Sequence, residues 1–138
     1  MPFELDPVLA NDTVALADTT DYAVRLANDK RFPWVIVIPR VASITEVYQL
    51  DTQLQQKLAA DASVLGRELM ELFKGDSLNT GALGNVVRQL HLHHVVRFET
   101  DVAWPAPVWG FGKPVAYSPD ELQQRVDLLQ RSLSITTG

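Results

Sequence analysis

A chain of 138 residues, 46% hydrophobic and 21% charged, has the length of one domain and the composition of a packed one, which excludes a largely disordered protein. Lys and Arg number 12 against 17 Asp and Glu, a formal charge of -5, which argues against a surface that coats nucleic acid, although one local pocket can oppose the global sign. The absence of cysteine excludes disulfides, thiolate nucleophiles and cysteine-ligated zinc, so the fold must stand on packing alone, as in a reducing cytoplasm.

In chain order, Asp6-Pro7 ahead of Val8-Leu9-Ala10 predicts a short helix with Asp as cap and Pro in the first turn. Thr13 to Leu16 and Tyr22 to Leu26 are β-leaning runs separated by polar residues, which suggests a hairpin. After the polar loop Asn28 to Pro33, Trp34-Val35-Ile36-Val37-Ile38 is apolar on successive positions, as in a covered or central strand, and Pro39 ends it. That run is the longest strongly apolar one and falls far short of the ~20 residues a bilayer needs. The first residues show no basic start followed by an apolar core, so the expectation is a cytoplasmic protein without a membrane partner.

Ser43-Ile44-Thr45-Glu46 fits a capping box and predicts a short helix. From Asp51 to about Lys74, Leu54, Leu58, Ala62, Leu65, Leu69 and Leu72 recur at spacings of three and four, one apolar stripe on a long helix, with Gly75 as the expected C-cap. Ser77 to Asn85 reads as a glycine-bearing loop with room for a short strand before it, and Gln89 through Phe98 alternates as a strand. Trp104 to Gly110 reads as extended. Ser118-Pro119-Asp120-Glu121 caps a last helix with the face Leu122, Val126, Leu129 and Leu133, beyond which residues 134–138 are expected to fray. This order predicts an α+β domain in which a long and a short helix pack on an antiparallel sheet, with a C-terminal helix added.

All three histidines lie in Gln89-Leu90-His91-Leu92-His93-His94. Alternate residues of a strand share a face, roughly 6.5–7 Å apart along the chain. Gln89, His91 and His93 therefore line one face; Leu90, Leu92, His94, Val96 and Phe98 line the other, which is the core side. His-x-His-His alone has three readings: packing, two metal ligands or catalysis. His94 points away from the other two, and no motif supplies a third ligand, so metal ranks behind catalysis.

The run Gly84-Asn85-Val86-Val87-Arg88-Gln89-Leu90-His91-Leu92-His93 resembles the motif of the histidine-triad (HIT) superfamily of nucleotide-binding proteins. In that alignment Gln89 stands at the first histidine position, His91 at the central one and His93 at the last, while His94 falls on a position that is normally hydrophobic. Leu26-Ala27-Asn28-Asp29, the apolar strand ending at Pro39, the helical stretch Ser43 to Gly75 and Trp104-Pro105 also resemble the family, in the expected order over residues 3–110. Residues 1–110 are thus expected to be the HIT-like part and 111–138 a C-terminal extension packed on the same domain. Two departures mark a variant subgroup: Gln89 for the first triad histidine, and Trp34 for a histidine often found ahead of the apolar strand.

The resemblance implies a nucleotide hydrolase or nucleotidyl transferase that uses no cofactor and no metal. His91 would be the nucleophile toward the α-phosphate of a nucleotide ester, anhydride or phosphoramidate, forming a nucleotidyl-histidine, with His93 assisting the leaving group and Gln89 hydrogen-bonding phosphoryl oxygens. Asn79, Gly84 and Asn85 are the expected phosphate-binding residues; Asn28 and Leu26 are expected at the nucleoside, although Asn28 equally suits a turn. Trp104 and Trp109 fit a pocket wall, a subunit contact or ordinary burial; Arg88 and Arg97 fit phosphate contacts or a solvated strand edge. A homodimer is implied as well. The alternatives are a noncatalytic nucleotide-binding module, motivated by Gln89, which cannot transfer protons, and a zinc-dependent hydrolase.

Overall fold

The computed structural model describes residues 2–137. Along the chain run α1 (Pro7–Asp12), β1 (Thr13–Asp18), β2 (Tyr22–Ala27), β3 (Trp34–Pro39), a 3-10 turn (Val47–Gln49), α2 (Thr52–Phe73), β4 (Ser77–Ala82), β5 (Leu92–Arg97), α3 (Pro119–Ser132) and a final 3-10 turn (Ser134–Thr137). The strands form one five-stranded sheet in the order β1-β2-β3-β5-β4, and every neighbouring pair is antiparallel. The apolar run Trp34 to Ile38 is indeed central. No helix of the described residues is long and apolar enough to cross a membrane.

The two faces of the sheet are covered differently. On one, Val24 and Leu26 of β2, Val35 and Val37 of β3 and Val96 of β5 meet Leu58, Leu65 and Leu69 of α2, with Leu129 and Leu133 closing the end. The predicted leucine stripe is thus the stripe that docks, and each fully buried leucine contributes about 2 kcal/mol. Gly66 brings α2 against β4: a Cβ there would lie 2.6 Å from Leu78 Cδ2. On the other face, Ala23, Ala27, Ile36 and Ile38 are covered by Leu9 of α1, and Phe32 and Val95 by Ala103 and Val108.

Capping chemistry sets most boundaries. Asp6 accepts from Val8 N at 2.8 Å and Asp51 from Leu54 N at 2.8 Å, while Ser118 and Glu121 form the expected reciprocal box around Pro119. Other expectations needed correction. Ser43 has φ 62 and caps nothing; instead the Gln49 side chain accepts from Glu46 N at 3.1 Å, and only a 3-10 turn follows. The left-handed residue ending α2 is Lys74, at φ 54, rather than Gly75. Glycine is needed at 75 for a different reason, since a Cβ there would come within 2.4 Å of Val96 Cγ1.

Residues 77–82, expected to be mostly loop, are a full strand because β5 offers them six consecutive partners, Ser77↔Arg97 to Ala82↔Leu92. The β5 ladder stops at Leu92, which leaves Gln89, Leu90 and His91 outside it. Leu90 N instead donates to Ile44 O at 2.9 Å. Residues 104–110 form turns around a cis Trp104–Pro105 bond rather than an extended run. The tail through Thr137 does not fray: Ser134 Oγ donates to Glu68 at 2.6 Å and Ile135 packs against the helix-side core. The last position of the expected frayed segment, Gly138, lies outside the described residues.

Candidate active site

His93 lies on β5 and His91 one residue before it, on the face away from α2. His91 is 5% exposed, and its Nδ1 lies 2.7 Å from the carbonyl oxygen of Gln89. A carbonyl can only accept, so Nδ1 carries the hydrogen and the Nε2 lone pair is free. His93 has the opposite arrangement. The indole N–H of Trp34, on the adjacent β3, donates to His93 Nδ1 at 2.9 Å. Because an indole only donates, the hydrogen of the neutral His93 ring sits on Nε2. The two imidazoles are edge to face with centroids 4.9 Å apart. Among the described residues, no protein group is hydrogen-bonded to Nε2 of either ring.

Burial, then the neighbouring His91 and His94, push the His93 pKa down to about 3, so the ring is neutral throughout the physiological range. Trp109 packs edge-on to His93 at 5.5 Å, with its Nε1 buried and unpartnered. Of the two tryptophans that fit a pocket wall, a subunit contact or ordinary burial, Trp109 backs His93 without lining the cleft. Trp104 instead stacks over the Arg97 guanidinium at 5.7 Å.

Both histidines line a cleft of ≈ 370 Å³ between the sheet and α1. Val8, Leu9, Ala27, Ile36 and Val87 give it apolar walls, while Asn11, Asp12 and Asn28 bring polar groups to it. An apolar concavity with a few convergent polar groups is the usual form of a small-molecule site. Pro114 closes part of it. That strap is held from the loop after β2: Lys30 N donates to Val115 O at 2.7 Å, Tyr117 N to Asn28 Oδ1 at 3.1 Å, and Arg31 Nη1 to Phe111 O at 2.8 Å. Asp29 anchors the arrangement. It is 3% exposed and accepts from Arg31 Nη2 at 2.8 Å and Val115 N at 3.3 Å. Burial raises its pKa, but Arg31 and the backbone donors outweigh burial and hold it below the usual carboxylate range.

The expected site residues separate into those at the cleft and those elsewhere. Asn28 lines it, with its carbonyl oxygen already engaged by Tyr117. Leu26 does not: it is fully buried in the helix-side core, because an even step along β2 puts it with Val24 rather than with Ala27. The Gln89 side chain also leaves the site. Its Nε2 donates to Glu4 O at 2.8 Å and its Oε1 accepts from Asp6 N at 2.9 Å, so it pins the N-terminal segment, while its backbone carbonyl holds His91. Asn79 is on β4, where its Oδ1 accepts from Arg97 Nη1 at 2.8 Å. Gly84 lies beside His91 in the loop between β4 and β5, and Asn85 is exposed in the same loop.

His94 faces the helix side, as the alternation requires, 1% exposed and with neither ring nitrogen hydrogen-bonded. Burial lowers its pKa, offset in part by the nearby Leu92 and Val35 backbone. Arg97 is neither a solvated edge residue nor a phosphate contact. It is 1% exposed and paired with Asp101 at 2.8 Å. Burial raises the Asp101 pKa, but Arg97 and the N–H groups of Phe98, Trp104 and Ala103 bring it to about 2. Arg88 is exposed.

Sequence reasoning missed three features: the Trp34 hydrogen bond, the Asp29–Arg31 anchor and the α1 wall. The polar run Asn28 to Arg31 after a strand was a visible signal for the anchor. Nothing local signals that α1 would lie over the histidines.

The HIT domain family matches residues 9–100. No curated protein matches the chain. Among solved structures, a histidine triad protein of Marinobacter aquaeolei is 45% identical, with TM-score 0.95 and 99% of each chain covered. A histidine triad protein of Bradyrhizobium japonicum is 36% identical, with TM-score 0.92, covering 96% of this chain and 99% of that one. A third, from Sinorhizobium meliloti, is 37% identical, with TM-score 0.91, covering 95% and 97%. With a domain match over two-thirds of its length, like structures over nearly all of it, and His91 and His93 together at one cleft, this chain belongs to the histidine triad family.

Proposed function

We propose that the cleft binds a nucleotide and that His91 attacks its α-phosphate, making the protein a nucleotide hydrolase or nucleotidyl transferase. The observation that carries this reading is the Gln89 carbonyl bound to His91 Nδ1, which leaves the Nε2 lone pair free at a cleft wall. An imidazole held in one tautomer loses no time to the wrong one and is a capable nucleophile at neutral pH. As the Nε2–P bond forms, the bond from phosphorus to the leaving group breaks, and the charge gained by the ring is held through Nδ1–H on that carbonyl. Water or another acceptor then displaces the nucleotide from His91.

His93 Nε2–H is the donor proposed for the developing charge on the phosphoryl oxygens, with the backbone near Gly84 and Asn85 beside it. Asn28 is proposed for the ribose, through its free amide nitrogen. The test is adenosine 5′-monophosphate esterified to p-nitrophenol: the wild type releases nitrophenolate and, quenched in alkaline denaturant that preserves the acid-labile P–N bond, carries adenylate on His91, while His91→Ala does neither.

A noncatalytic nucleotide-binding module is the second reading, favoured by a Gln89 side chain spent on Glu4 and Asp6. Binding of AMP by calorimetry without ester turnover supports it. A zinc site has less support, since no group of three or more metal-ligating side chains lies together among the described residues. Bound stoichiometric zinc and loss of activity to chelator would support it.

We further propose a homodimer formed along β4. That strand ends the sheet, next to a recess in which Val47, Leu78 and Leu92 lie beside Ser63, Thr80 and His94. An unpaired edge beside apolar surface is suited to a second copy. Sedimentation of a monomer at micromolar concentration removes the proposal.

A further inference from the structure

The free nitrogens of the site are set by two partners of opposite character, a carbonyl for His91 and an indole N–H for His93. The second partner limits what His93 can do. To become an imidazolium it must take a proton on Nδ1, and that would set one N–H against another across 2.9 Å. A neutral imidazole donates a hydrogen bond through Nε2–H but has no spare proton to give to a departing group.

No other group on the cleft replaces it. The charged and titratable groups around His93 are His91 just before β5, His94 of β5, Asp12 and Asp29 across the cleft, and Arg31 paired to Asp29; Trp34 and Trp109 complete its surroundings. His91 is the nucleophile. His94 lies on the opposite face of the sheet, and Asp29 is committed to Arg31 and Val115 N. Asp12 is exposed and accepts from Asn11 Nδ2. Burial and the two neighbouring histidines independently disfavour charge on His93.

We propose that the Trp34–His93 hydrogen bond makes this site selective for nucleotides whose α-phosphate carries a leaving group stable as an anion, such as a carboxylate, a phosphate or an electron-poor phenolate. The inference rests on the reading of His91 as nucleophile. With such a group the bond from phosphorus to oxygen breaks, the electron pair stays on the oxygen, and no proton moves. An alkyl amine or alcohol is too basic to depart that way and must be protonated as the bond breaks. General acid catalysis of that step supplies roughly 10²- to 10⁴-fold, and this site lacks it.

The experiment compares two AMP derivatives, the p-nitrophenyl ester and the n-butyl phosphoramidate, on the full chain and on Trp34→Phe, which keeps an aromatic ring but removes the donor. Expected is a wild-type preference for the ester of at least about a hundredfold. Trp34→Phe removes the N–H that opposes a proton on Nδ1 but leaves the burial and the neighbouring histidines in place, so it should narrow the preference by less than about tenfold, through amidate turnover. Nitrogen-15 spectra of the wild type give a readout independent of turnover and of how well the variant folds: His93 should stay in its neutral Nε2–H form down to about pH 5. Comparable wild-type rates on both probes, each through an adenylated His91, overturn the selectivity and leave the nucleophile standing. Titration of wild-type His93 near its ordinary value overturns it as well. Failure of both probes, with no adenylated His91, removes the enzymatic reading and this inference with it.

Discussion

His93 and His94 are consecutive, both buried, and face opposite sides of one sheet. On the cleft side, His93 receives an indole N–H, touches His91 and Trp109, and has a defined tautomer. On the helix side, His94 borders a recess with Ala62, Leu78, Thr80 and Leu92, both its nitrogens unpartnered. A buried polar atom left without a partner costs about 1–3 kcal/mol. The contrast teaches that an imidazole becomes chemically useful through the groups that orient it, and that burial alone makes it only a neutral filler. The helix face spends its side chains on stability and the cleft face on orientation.

Four measurements test that contrast, the most damaging substitution first. His91→Ala should lower turnover of the AMP p-nitrophenyl ester by at least about 10⁴-fold, because the attacking atom is gone, while urea unfolding shifts far less. Leu65→Ala, at a position with 0% exposure on the helix side, should cost about 2–5 kcal/mol in the same unfolding assay and leave AMP affinity nearly unchanged. A large loss of affinity there would show that the two faces are not independent.

Acidification acts through both histidines, with a definite sign. The native His93 pKa is about 3 against about 6.5 in the unfolded chain, so between those values the unfolded state binds more protons and stability falls as pH falls. From pH 7 to pH 5 His93 should account for about 2 kcal/mol of lost stability, read from urea midpoints, and the lowered pKa of His94 adds in the same direction. The smallest effect belongs to His94→Phe, which exchanges an unsatisfied ring for an apolar one. Stability should change by less than about 1 kcal/mol, without loss of turnover. A large drop in turnover would place His94 in the chemistry.

Much of the fold was legible because its signals are local. Asp6-Pro7 and Ser118 each cap the helix that begins beside them, and the leucine spacing from 54 to 72 marks the face of α2 that docks. Alternation from Leu90 to Phe98 separated His93 from His94 correctly. The failures share one cause. Ser77 to Ala82 has weak strand character of its own and becomes a strand because β5 is present to pair with it. Gln89 continues the alternation in sequence, yet its amide finds Glu4 and Asp6, more than eighty residues away along the chain. Leu26 followed the resemblance to the nucleoside, while its strand parity buried it under α2.

From sequence alone came the α+β class and the shared face of His91 and His93, since periodicity, caps and the His-x-His spacing are properties of neighbours along the chain, and the family came as a resemblance carried by the run Gly84 to His93. Tertiary structure alone decided which nitrogen of each ring is free, which wall α1 provides, and that Trp34 is a hydrogen-bond donor to His93 rather than one more apolar residue of β3. Tautomers are set by donors and acceptors about 3 Å away in space, and those partners come from segments whose separation along the chain carries no record of their contact.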